Sequence, residues 1–122
     1  MSTALDILLS NELPQAEEKE VKIKRLSKAW GVDVIFKIKE LGYSRVAEIK
    51  KMEPDSIPVH IVLAGVKEPD LKAKELMDKY KTVTPAETIK KILRPGEIED
   101  LSRAIEKLSG YRENTIEEIK KK

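Results

Sequence analysis

Cysteine is absent from this 122-residue chain, which removes disulfides and thiolate metal sites and suits a reducing compartment. Glycine is scarce, at five residues, and neither the P-loop pattern nor GxGxxG occurs, so no loop is built to cradle a phosphate. Histidine occurs once, as His60 inside an apolar run. Zinc binding and nucleophile–histidine–acid chemistry would both have to be built on that residue, without partners and without a GxSxG turn, so it reads as a half-buried structural side chain. Aromatics make up 4% of the chain, and no platform of rings interleaves the basic residues as single-stranded nucleic-acid binding requires. No long excess of one charge exists either, because 24 basic and 22 acidic residues leave +2. Runs of roughly 18 apolar residues, the length of a membrane helix, are missing. The opening "MSTALDILLSNELPQ" has neither the basic start nor the long apolar segment of a secretory signal. The expectation is a cytoplasmic protein with no membrane contact, cofactor, metal ligand or catalytic residue.

What is present is enough hydrophobic content, 40%, for one ordinary domain with a core. Leu5, Leu8 and Leu9 stand at i, i+3 and i+4 behind Ser2 or Thr3 as N-cap, which predicts a short amphipathic helix. The polar stretch 11–18, with Pro14, then reads as a linker. "EVKIKRL" (20–26) and "VIFKIKEL" (34–41) set apolar residues in alternation against lysines, the period of half-buried strands. They are expected to pair as an antiparallel hairpin whose connection, "SKAWGVD", is a loop freed by Gly31.

Beyond the hairpin the period changes. Val46, Ile49 and Met52 behind a Ser44 cap predict a helix over about 44–53. Segment 57–64 suits either a strand or a buried helix, and the reading leans to a short buried helix. Asp70 can cap a helix over 70–80 that sets Ala73, Leu76, Met77 and Tyr80 on one face. "TPAE" (84–87) combines an N-cap Thr, a first-turn Pro and a Glu at the third position, opening a helix over 85–93. Another helix, over 96–109, carries Ile98, Leu101, Ile105 and Leu108 inward; acidic Glu97, Glu99 and Asp100 lie near its start, Glu99 can pair with Arg103, and Gly110 can close its end. Asn114 and Glu117 suggest one more turn over 114–120. The fold class is therefore α+β: a small antiparallel β-hairpin over 20–41 followed by four to five short packed helices, with a mainly helical C-terminal half. Residues 1–18 form a short helix and linker, and 19–122 form the single α+β domain.

Candidate contact residues follow from what the core does not need. Trp30 either folds back over the hairpin or serves as a binding anchor, the role in which tryptophan is enriched. Leu5, Ile7, Leu8 and Leu9 can dock on the chain's own core or on another chain, and the linker permits both. Leu5, Leu8, Leu9 and Trp30 are thus the partner-binding candidates. Lys19, Lys22, Lys24, Arg25 and Lys28 read as a solvated strand face; the competing reading of that run is a small nucleic-acid-binding regulator.

Three blocks, "EVKIKRLSKAWGVDVIFKIKEL", "VHIVLAGVKEPDLKAKELMDKY" and "TPAETIKKILRPGEIEDLSRAIEKLSGY", resemble the XkdN-like proteins of prophages and phage-like elements, a family of tail assembly chaperones. The resemblance runs from about residue 4 to 119. It implies a non-enzymatic protein that binds the helical tape measure protein, assists tube assembly with the tail tube protein as a second partner, and is absent from the mature particle. It leaves a homo-oligomer open, and implies the bacterial host cytoplasm as the place of action.

Overall fold

Alternation of apolar and charged residues produces the sheet in the computed structural model, which describes residues 3–120. Strand β1 (Glu18–Lys22) pairs antiparallel with β2 (Ile35–Lys39), and Val21 stands opposite Phe36 and Lys19 opposite Ile38. Phe36 and Ile38 therefore share the inner face and are buried, while the outer face carries Glu18, Glu20, Lys37 and Lys39. A third strand, β3 (Val66–Glu68), pairs antiparallel with the other side of β2 and adds Val66 to that inner face. Its three residues are too few to show a period, which is why the sequence reading contains only the hairpin.

The connection between β1 and β2 is a helix, not the expected loop. Helix α2 (Lys24–Trp30) buries Leu26, and Gly31 ends it in the left-handed conformation at φ 67°. The Val34 amide donates to Ser27 Oγ at 2.8 Å, and the Ile23 amide donates to the Val34 carbonyl at 2.9 Å, so both ends of the insertion are tied together. The strand expected over 20–26 thus ends at Lys22, because burying Leu26 from a helix also satisfies the backbone locally. The basic run is divided in consequence: Lys19 and Lys22 belong to a strand, whereas Lys24, Arg25 and Lys28 belong to a helix, so it is not one strand face.

Helix α3 (Tyr43–Lys50) buries Val46 and Ile49 and has Gly42, two residues before the expected Ser44, as its N-cap. After a short 3₁₀ turn (Pro54–Ser56), helix α4 (Ile57–Gly65) settles the ambiguous stretch as a helix. Pro58 gives the reason: proline is well placed in a first helical turn and excluded from an inner strand. α4 is apolar nearly all round and lies at the centre of the helical layer, packed against α3, α6 and α7. His60, on α4, is half-buried.

Helix α5 (Lys74–Tyr80) begins at Ala73 rather than at Asp70. The Asp70 carboxylate accepts from the Lys72 amide instead, an Asx turn that leads Leu71 into the core. Helix α6 (Pro85–Ile92) has the expected Thr84 cap, with the Glu87 amide donating to Thr84 Oγ1 at 3.2 Å; the Glu87 carboxylate accepts from Val83. Helix α7 (Pro95–Leu108) is capped by Glu97, whose Oε1 accepts the Arg94 amide at 2.7 Å. At its end the Tyr111 amide donates to the Glu106 carbonyl and the Gly110 amide to that of Lys107, a Schellman pair that places Gly110 at φ 97°. Among the described residues Glu99 and Arg103 form no ion pair. The turn expected over 114–120 does not form: residues 114–120 have no regular structure, and Ile116 and Ile119 are exposed. Nothing receives those two side chains, and a single turn does not stand without burial.

α7 crosses α4 where Gly65 lacks a side chain. A β-carbon at Gly65 would meet Ile105, which is fully buried, at 2.5 Å. This close approach lets α7 press on α4 and lie against β2, which closes the core over the sheet.

Candidate partner-binding surface

The residues that carry the surface begin at α1 (Ala4–Ser10). A reciprocal capping box specifies this helix: the Asp6 amide donates to Thr3 Oγ1 at 3.2 Å, and the Thr3 amide donates to Asp6 Oδ2 at 3.3 Å. At the other end Ser10 Oγ and Asn11 Nδ2 donate to the Asp6 and Ile7 carbonyls. The Ser2 alternative for the cap lies outside the described residues. Helical spacing brings Leu5, Leu8 and Leu9 onto one face, yet they are 64%, 69% and 76% exposed, and α1 buries nothing. No other element packs on it to any extent. The stripe is thus capped at both ends and left to solvent.

Trp30 lies on a separate element, at the last position of α2, and is 57% exposed. More than half of its surface is therefore open to solvent. Two apolar neighbours that the sequence reading left out, Val32 and Ile35, are exposed in the same short stretch. Ile35 was visible in principle, since alternation with Phe36 and Ile38 sends it to the solvent face of β2.

The charged pairs of the body tie its elements to one another. Arg25, on α2, grips Glu97 through two hydrogen bonds, Nε to Oε2 at 3.0 Å and Nη2 to Oε1 at 2.9 Å, and also donates to the Ile92 carbonyl. The hydrogen bond from Arg25 holds the Glu97 carboxyl below the usual range, assisted by the Arg94 amide and opposed by desolvation. Glu18 is lowered in the same direction by its hydrogen bond from Lys67, at 2.6 Å across the outer sheet face. Glu106 is buried on α7 and receives Lys50 Nζ at 3.1 Å and Arg112 Nη2 at 3.2 Å, which fastens α3 and the chain after α7 to the same helix. Among the described residues no group of three or more His, Asp and Glu side chains converges on a metal position. Nor is any helix there long and apolar enough to cross a membrane.

The comparisons with known proteins give the chain its family. No curated protein matches the chain. A crystal structure of the protein YqbN is similar, with 27% sequence identity, a TM-score of 0.73, and coverage of 91% of this chain and 99% of that one. The sequence profile of the phage XkdN-like tail assembly chaperones matches residues 5–120, so the match takes in the exposed arm as well as the body. Since nearly the whole chain is matched, the protein belongs to the XkdN-like family of phage tail assembly chaperones.

Proposed function

We propose that this tail assembly chaperone acts without catalysis, by covering exposed apolar stripes on the helical tape measure protein until the tail tube encloses it. Residues 1–18 act as a contact arm on the single domain 19–122. Leu5, Leu8 and Leu9 supply the arm's contact, and Trp30 supplies a second anchor on the body. The observation that carries this reading is α1: a helix fully capped at its start whose leucines are left to solvent. Such helical stripes associate indiscriminately when they have no partner, and helix-in-groove capture is the recurrent way to shield them. The tail tube protein is the second partner in this scheme, and the host cytoplasm is where the complex forms.

Release has to follow capture, so the contact is of moderate strength, about micromolar per site, repeated along one long client. Co-expression with the tape measure protein tests the reading. The client is expected to be soluble and to co-purify with this chain, with little change between low and moderate salt. Equal solubility with and without this chain would overturn it, and a steep loss of binding with salt would point to the nucleic-acid reading instead.

A further inference from the structure

Among the described residues the sheet keeps one long open edge. β2 is central, and β3, on one side of it, is three residues long and followed at once by Pro69, which blunts that edge. β1, on the other side, is five residues long. Two hydrogen bonds that continue the β1–β2 register fix its phase: the Ile23 amide donates to the Val34 carbonyl at 2.9 Å, and the Glu40 amide to the Glu17 carbonyl at 3.0 Å. Alternation from those pairs turns the backbone groups of Lys19 and Val21 toward β2 and those of Glu18, Glu20 and Lys22 outward. Among the described residues no turn or cap takes up these outward amides and carbonyls.

We propose that a second copy of this chain pairs with this edge, β1 against β1 and antiparallel, about a two-fold axis at Val21. Charged edges keep copies apart when like charges meet. Here the charge inverts about the central valine of Glu20, Val21 and Lys22, so an antiparallel copy sets each Glu20 opposite the other copy's Lys22. The same two residues exchange their outward backbone bonds, and between them Val21 meets Val21 at the closer, non-hydrogen-bonded position. The side chains are free to pair in this way: Glu20 is exposed and has no ion pair among the described residues, and Lys22 reaches only Asp33, at 3.7 Å. An axis at Glu20 would instead set the two Glu20 carboxylates opposite each other, and Glu18, which would then face Lys22, is already held by Lys67 at 2.6 Å.

The helical layer fits the same axis. α7 runs antiparallel to β1: Glu97 and Leu101 lie beside Lys22 to Lys24, Lys107 and Leu108 lie beside Glu17 to Lys19, and Ala104 neighbours Val21. A two-fold at Val21 therefore turns Asp100 of each α7 toward Lys107 of the other, a second pair of opposite charges made twice. α7 packs on β2, and the β2 strands of the two copies stand three strand spacings apart, about 14 Å. Packed helices lie roughly 8–10 Å apart, so the two α7 helices clear one another and leave space for these side chains. An interface of one strand edge and one helix flank per copy is small, and a dissociation constant of tens of micromolar is expected.

Sedimentation of the full chain from about 1 to 300 μM tests the pairing, with a dimer expected in the upper part of that range. Glu20→Lys and Lys22→Glu each set like charges opposite one another twice, and each should weaken the dimer by about tenfold or more. An equimolar mixture of the two variants should recover association, because opposite charges then meet at both positions; the double variant should recover it alone. Both sites are exposed, so these chains are expected to melt as the parent does. Glu20→Pro, which removes an amide that only the second copy uses, should abolish the dimer. At high concentration the Glu20 and Lys22 amides should gain protection from exchange, while that of Glu18 exchanges as in dilute solution. A parent chain that stays monomeric, single variants that dimerise unchanged, or a mixture no better than its parts would overturn the proposal. So would Glu20 and Lys22 amides already protected in the dilute monomer, which would assign the edge to the chain's own linker or tail.

Discussion

Helices α7 and α1 are built from the same parts and end in opposite situations. Each opens with an acidic side chain that reaches back to a free amide, Glu97 to Arg94 and Asp6 to Thr3, and each carries apolar residues at three- and four-residue spacing. α7 buries its stripe: Ile98, Leu101 and Ile105 enter the core. α1 buries none of its own. Local signals thus specify that a helix forms, and only the rest of the chain decides whether its apolar face is used for stability or left for a partner. A stripe set off from the body by a polar linker has been separated from the core that would otherwise absorb it.

The largest effect should separate the two helices directly. Ile105→Ala removes a fully buried side chain from the α7 stripe and is expected to cost about 2–5 kcal/mol of stability. Leu8→Ala on the α1 stripe should change the unfolding free energy by less than about 0.5 kcal/mol. Denaturant titration of both variants checks the contrast, and comparable losses would mean that α1 is part of the core after all. Next in size is Gly65→Ala. Its new β-carbon would meet the Ile105 side chain at the α4–α7 crossing, and a loss of about 1–3 kcal/mol is expected from overpacking.

How far these differences were legible depended on how local their causes are. The starts of α6 and α7 were readable because Thr84, Pro85, Glu87 and Glu97 act within one turn of themselves. Pro58 offered a signal of the same local kind for the ambiguous stretch 57–64, where the sequence reading has only the apolar run to go on. α2 was not readable, since the expected strand carries the alternation of Val21 and Ile23 on through Leu26, which is out of phase with it, and the burial Leu26 finds in three dimensions makes a helix the better solution. Asn114 misled in the opposite direction, offering a cap to a turn that has nothing to pack on. At the candidate surface, the stripe of Leu5, Leu8 and Leu9 was plain from spacing, but its exposure was not.

Smaller effects sharpen the comparison further. The Arg25 hydrogen bonds lower the Glu97 carboxyl in the folded chain relative to its ordinary value of 4.5. A lowered carboxylate contributes stability that is complete above 4.5 and is lost as the pH falls from there through the lower folded value. Unfolding midpoints should therefore drop on acidification below pH 4.5, and less steeply in Glu97→Gln; an unchanged acid slope in that variant would show that the Arg25 pair is not responsible. The smallest effect is expected at Thr3→Ala. It should loosen α1 alone, by about 0.5–2 kcal/mol of local helix stability, raising amide exchange within residues 4–10 and leaving the melting temperature in place.

One measurement reaches the central claim most directly: binding of the tape measure protein by the parent chain and by the triple variant Leu5→Ser, Leu8→Ser, Leu9→Ser, with melting curves recorded alongside. Burying even one of these leucines is worth about 1.5–3 kcal/mol, so the account predicts affinity at least about tenfold weaker for the triple variant, at low and moderate salt alike, with an unchanged melting temperature. Undiminished binding and client solubility in the triple variant, with the fold intact, would contradict it.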